Sequence, residues 1–185
     1  MVIEQLDCLL KPLGFSRQKA TWNRRTNFVI DVVDVQVSKS GDVITINAGV
    51  LDMDVYAKLW DGEPPEFVEQ PTCTVCARIG ELFDGRDRWW KLSGDRVVVD
   101  VVDAVGTRVL PFLERMHTRK AMEQWLTDTE VTRKKYPQPI IYLAILKYLL
   151  GEVAQGCELL AELQRKSIGA WRSRAAEVAA RLRCT

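Results

Sequence analysis

Phe28-Val29-Ile30-Asp31-Val32-Val33-Asp34-Val35-Gln36-Val37, then Ser38-Lys39-Ser40-Gly41-Asp42, then Val43-Ile44-Thr45-Ile46-Asn47-Ala48-Gly49-Val50 is the stretch that decides the fold class. β-Branched and apolar residues fill both flanks, and the five residues between them carry turn chemistry, so the segment reads as two strands around a tight turn. In the second strand Ile44, Ile46, Ala48 and Val50 share one face while Thr45 and Asn47 take the other. That period of two indicates a half-buried antiparallel strand.

Upstream, Val2, Ile3, Leu6, Leu9 and Leu10 recur at helical spacing, and Pro12 with Gly14 ends the helix. Thr21-Trp22-Asn23-Arg24 reads as a short strand. Downstream, residues 52–60 predict a short helix carrying Val55, Leu59 and Trp60, and Asp61-Gly62-Glu63-Pro64-Pro65 is a loop. A further strand begins near Cys73, with Cys73, Val75, Ala77 and Ile79 on one face and Cys76, Arg78 and Gly80 on the other. The last, Trp89-Trp90-Lys91-Leu92, turns Trp90 and Leu92 to the core. The expectation is an α+β fold: an antiparallel meander of four to five strands with an N-terminal helix and a C-terminal helical region.

Helical spacing covers Val98 to Met116, where Pro111 should kink or split the helix. Thr118 reads as an N-cap for a helix holding Met122, Trp125 and Leu126. After a polar connection come Ile140–Leu150, Val153–Arg165 and Ile168–Arg183, the first two an αα-hairpin with Gly156 at the close contact. Residues 1–128 are therefore expected as an α+β domain, with 137–185 a helical extension packed on it. Residues 1–110 hold 13 basic and 17 acidic side chains (net −4) and residues 111–185 hold 13 and 8 (net +5), an asymmetry that agrees with two regions.

The length of 185 residues suffices for a sizeable core, and the net charge of +1 excludes a strongly basic surface that grips nucleic acid without specificity. The longest apolar run, Ile140 to Leu146, falls far short of the ~20 residues a membrane span needs. The acidic N-terminus does not read as a secretory signal, and five scattered cysteines imply no disulfide framework, so reduced thiols in a cytoplasm are expected.

Little catalytic chemistry is legible. Cys73-x-x-Cys76 is the one metal-like spacing, and alternation sends its thiols to opposite faces, so it reads as structural. His117 is the sole histidine, and no nucleophile turn or phosphate loop occurs. Asp31 with Asp34, and Asp52 with Asp54, read as solvated edges or caps. The reading is non-enzymatic, without cofactor or metal. Trp89, flanked by Arg86, Arg88 and Lys91 with Arg78 nearby, is the most suggestive surface, because Trp and Arg dominate interface energetics. A basic patch of Arg133, Lys134, Lys135, Arg172, Arg174 and Arg181 is the alternative, directed to nucleic acid.

Leu13-Gly14-Phe15, Trp22-Asn23-Arg24, Val35-Gln36-Val37-Ser38 and Thr45-Ile46-Asn47-Ala48-Gly49-Val50 resemble the opening half of the domain-of-unknown-function family 4304. Cys76-Ala77-Arg78-Ile79-Gly80-Glu81-Leu82, Asp87-Arg88-Trp89-Trp90 and Leu110-Pro111-Phe112-Leu113 resemble its second half, so the likeness runs from about residue 5 to about 126. It implies an α+β bacterial domain similar to small partner-binding proteins, immunity proteins encoded beside toxins among them, and supplies no catalytic residues. The expected function is protein binding, immunity or antitoxin-like in its sharpest form.

Overall fold

The alternation over residues 28–50 becomes the middle of a six-stranded sheet. The computed structural model describes residues 1–129 and 137–184, so Arg133, Lys134 and Lys135 lie outside the described residues. Strands β1 (Ser16–Gln18), β2 (Thr21–Arg25), β3 (Val29–Val37), β4 (Val43–Asp52) and β5 (Val75–Arg78) lie side by side in chain order, and β6 (Trp90–Lys91) pairs with the start of β4. The sheet is antiparallel, and the short β1 is the strand that sequence patterning misses. With helices before and after it, the fold is α+β.

Contacts divide the chain into two compact units, 1–51 with 65–116 and 52–64 with 117–185. The division does not fall at residue 128. α2 (Met53–Trp60) and α5 (Arg119–Asp128) belong with the C-terminal helices, because Val55, Leu59, Met122 and Leu126 bury themselves there.

In the first unit α1 (Val2–Leu10) packs with α3 (Val97–Ala104). Trp22 is fully buried, and its indole N–H donates to Asp7 Oδ1 on α1 at 2.7 Å, which places α1 on the sheet face that Trp22 shares with its partner Val33. On that same face Arg24 bridges the buried Asp31 at 2.7 Å and Glu114 on α4 (Leu110–Arg115). Between α3 and α4 the helix widens into a π turn, Val105–Val109. Pro111 has no N–H to donate and its ring crowds the carbonyl four residues back, so an extra residue in the turn relieves the clash. The split expected at Pro111 is thus expressed just upstream of it.

The second unit is built around α6 (Pro137–Leu149), where six consecutive residues, Ile141 to Leu146, are buried. A helix buried on every side is central, and α2, α5, α7 (Val153–Lys166) and α8 (Ala170–Arg181) all touch it. Gly156 on α7 permits the hairpin contact, since a Cβ there would sit 2.6 Å from the carbonyl oxygen of Ala144. Asp52, fully buried, accepts the N–H groups of Asp54 and Val55 as the N-cap of α2, and Arg119 Nε donates to it at 2.8 Å. Thr118 caps α5 as the sequence predicts.

Three expectations need correction. Cys157 and Cys184 form a disulfide with Cα atoms 5.4 Å apart, and Cys8, Cys73 and Cys76 remain thiols. The pair is 27 residues apart and meets only because α7 and α8 fold back on each other. Cys73 precedes β5, which starts at Val75, so strand parity does not apply to it. Its thiol sits where a Cβ of Gly49 would lie, Gly49 is the cross-strand partner of Cys76, and the two thiols share one face. Burial, then the neighbouring Cys76, pushes the Cys73 thiol well up. Leu92 does not enter the core: β6 ends at Lys91, the chain turns, and Leu92 stays 40% exposed at the rim of an apolar groove with Val35, Ile44 and Val97. Trp90 does pair with Ile44 and is half-buried.

Burial pushes the Asp7 carboxyl up, but hydrogen bonds from Lys11, Trp22 and Arg17 outweigh it and hold the group at about 2 against an ordinary 3.8. Its folded pKa is depressed, so its contribution is complete above pH 3.8 and is lost as pH falls towards about 2. Urea unfolding of the parent and Asp7→Asn should show a constant stability gap above that window that closes within it. A gap independent of pH would contradict the assignment.

Candidate functional site

The sheet face opposite α1 and α3 carries the polar residues of β2 to β5, and they connect. Thr21, paired with Asp34 across β2 and β3, donates its hydroxyl to Asp34 Oδ1 at 2.8 Å. The Asn47 amide donates to Asp34 Oδ2 and to Gln36 Oε1, each at 3.1 Å. Arg78, the partner of Asn47 on β5, donates to the same Gln36 oxygen at 3.3 Å and to Asp87 at 3.2 Å. Asp87 also accepts the Trp89 indole N–H at 2.8 Å, and the Arg78 guanidinium lies over the Trp89 ring at 5.6 Å. The Trp89 N–H first, and Arg78 after burial's opposing push, hold the Asp87 carboxyl below its usual range.

The loop presenting these groups is pinned at two points. The Gly80 carbonyl accepts three successive N–H groups, from Phe83, Asp84 and Gly85, and a Cβ on Gly80 would fall 1.8 Å from the carbonyl oxygen of Arg86. Glycine is therefore the residue that fits. At the other point the buried Thr45 donates its hydroxyl to the Arg88 carbonyl at 2.8 Å. The Phe83 ring carries two guanidinium groups, Arg88 at 4.0 Å and Arg108, from the π turn, at 4.9 Å. The same loop borders a cavity of about 270 Å³ lined by Arg78, Gly80, Glu81, Gly85, Arg86 and Asp87.

Of the residues singled out in the sequence, Arg78, Arg86, Arg88 and Trp89 come together here. Lys91 does not join them: it pairs with Val43 and its charge acts on Asp42. Three members of the basic patch, Arg172, Arg174 and Arg181, are among the described residues. Arg181 donates to the carbonyls of Lys58 and Leu59 at 3.1 and 3.0 Å, Arg174 stacks on Trp60 at 4.6 Å, and Arg172 donates to Ser167. Arg174 and Arg181 are cappers of α2. Among the described residues no group of three or more His, Cys, Asp or Glu is placed to hold a metal ion, and no helix is long and apolar enough to cross a membrane.

Thr21, Asp34, Gln36, Asn47, Phe83, Asp87 and Arg108 belong to the site and escape sequence reading. The first four carry a signal, since alternation puts them on one strand face. Arg108 carries none, because nothing local links it to Phe83. A model of the family described as "Domain of unknown function (DUF4304)" matches residues 6–115. The chain belongs to this family. No curated protein and no solved structure matches it. The DUF4304 match stops at 115, short of the expected 126, and leaves α5 to α8 outside. Every residue of the site lies within the DUF4304 span, so the polar ladder and the loop from Ile79 to Trp89 are parts of the family domain.

Gly80→Ala should displace the 86–89 segment and shift the Trp89 indole N–H resonance, assigned through Trp89→Phe. Gly85→Ala, where φ is +77° but no atom lies within 4 Å, should cost only about 1 kcal/mol through its backbone and leave that resonance in place.

Proposed function

We propose that this protein is a non-enzymatic protein-binding module, in its sharpest form an immunity or antitoxin-like protein that binds and neutralises a toxin. The observation that carries the reading is the Trp89 ring held by Asp87 and Arg78 at the end of a cross-strand hydrogen-bonded chain. Trp and Arg are the side chains that most often dominate interface energetics, and groups already fixed on a rigid sheet lose little further entropy on binding. The toxin-directed version rests on likeness between families, an analogy. A nucleic-acid role for the C-terminal helices draws less support, because Arg174 and Arg181 spend donors on α2.

The reading includes a cytoplasmic location. The Cys157–Cys184 disulfide bears against it, since disulfides persist mainly in oxidising compartments. Alkylation of the unfolded protein, taken from its native cells with thiols trapped, decides the matter: five reactive thiols support a reducing compartment and three oppose it.

The binding test uses the partner captured by the tagged chain in native cells, identified and then purified. Trp89→Ala should weaken that complex by about 2 kcal/mol, some thirtyfold, while lowering stability by less than about 1 kcal/mol. Calorimetry that gives equal affinity for parent and variant overturns the assignment of this surface.

A further inference from the structure

Arg88 and Arg108 are two arginines that share one aromatic ring, Phe83. In the same unit Arg17 pairs with Asp7, Arg24 with Asp31 and Glu114, Arg78 with Asp87, and Arg96 with Asp100. The Arg88 and Arg108 guanidinium groups both lie over the Phe83 ring, and neither forms an ion pair among the described residues. Two cations on one ring, neither with a carboxylate partner, leave positive charge that an anion would neutralise. Their backbones are anchored independently, Arg88 by the Thr45 hydroxyl and Arg108 by the π turn that Pro111 imposes.

We infer that Arg88 and Arg108 on the Phe83 ring form a carboxylate clamp for an acidic segment of the protein partner. The inference rests on the protein-binding reading and names the partner's chemistry. A guanidinium fork matches a carboxylate in plane, which is the geometry an Asp or Glu side chain presents. Residues 78–89 with Arg108 hold four basic side chains (Arg78, Arg86, Arg88, Arg108) and three acidic ones (Glu81, Asp84, Asp87), on a stretch of chain, 1–110, whose net charge is −4. A local positive spot on a negative background steers a partner with carboxylates at matching positions. A continuous phosphate backbone would meet Glu81, Asp84 and Asp87 as well, which disfavours nucleic acid here.

The test uses the full chain with a fluorescein-labelled hexaglutamate peptide, read by anisotropy at low salt. Arg88→Gln and Arg108→Gln should each weaken binding at least fivefold and flatten its salt dependence, with unchanged melting temperature. Arg108→Lys, which keeps the charge but not the fork, should fall between parent and Arg108→Gln. Arg172→Gln, on α8, should bind as the parent does. Equal affinity of the parent and Arg108→Gln overturns the clamp, as does an equal loss in Arg172→Gln. Displacement of the peptide by inorganic phosphate beyond the effect of sodium chloride at the same ionic strength overturns the choice of carboxylate. With the purified partner, a complex weakened by Trp89→Ala but untouched by Arg108→Gln ends the clamp and leaves the protein-binding reading standing.

Discussion

β4 has almost no water on either side: nine of its ten residues are buried. One face, Ile44, Ile46, Ala48 and Val50, is apolar and satisfied by packing alone. The other carries Thr45, Asn47 and Gly49, and a buried polar group without a partner is costly. Each is answered by a specific neighbour. Thr45 takes the Arg88 carbonyl, Asn47 takes Asp34 and Gln36, and Gly49 leaves room for Cys73. The demand for partners on this one strand draws β3, β5 and the 79–89 loop into position.

The candidate site is a by-product of that demand. The loop has to cover Thr45, so it crosses the polar face and carries Trp89, Arg88 and Phe83 with it. Gly80 allows the loop to close on itself, and Asp87 ties Trp89 to Arg78 on the neighbouring strand. Among the described residues of this loop and its neighbour Arg108, the arginines 86, 88 and 108 form no ion pair.

The second unit follows a different rule. α6 is apolar through six consecutive residues and needs neighbours all round, which α2, α5, α7 and α8 supply. The arginines of α8 then serve the carbonyl end of α2, with Arg181 reaching two carbonyls and Arg174 covering Trp60. Lys147, inside a network with Glu123 at 3.1 Å and Glu152 at 2.8 Å, shows the same use of charge between packed helices.

By itself the sequence determined the types of the longer elements, since periods of two and of 3.6 are local properties, whereas the three-residue β1 and the π turn are too short to show a period. The strand pair at 28–50, the helix stopped at Gly14, the cap at Thr118 and the close contact at Gly156 were all legible, as was the family likeness. Tertiary structure alone decided which distant residues meet. The same-face placement of Cys73 and Cys76 depends on where β5 begins, the Cys157–Cys184 bond on the return of α8 along α7, and the meeting of Arg108 with Arg88 over Phe83 on a π turn that packs against the 79–82 turn. Arginines 172, 174 and 181 look alike in sequence, yet two of them cap α2, because a side chain's role is set by the carbonyls, carboxylates and rings that packing brings within its reach.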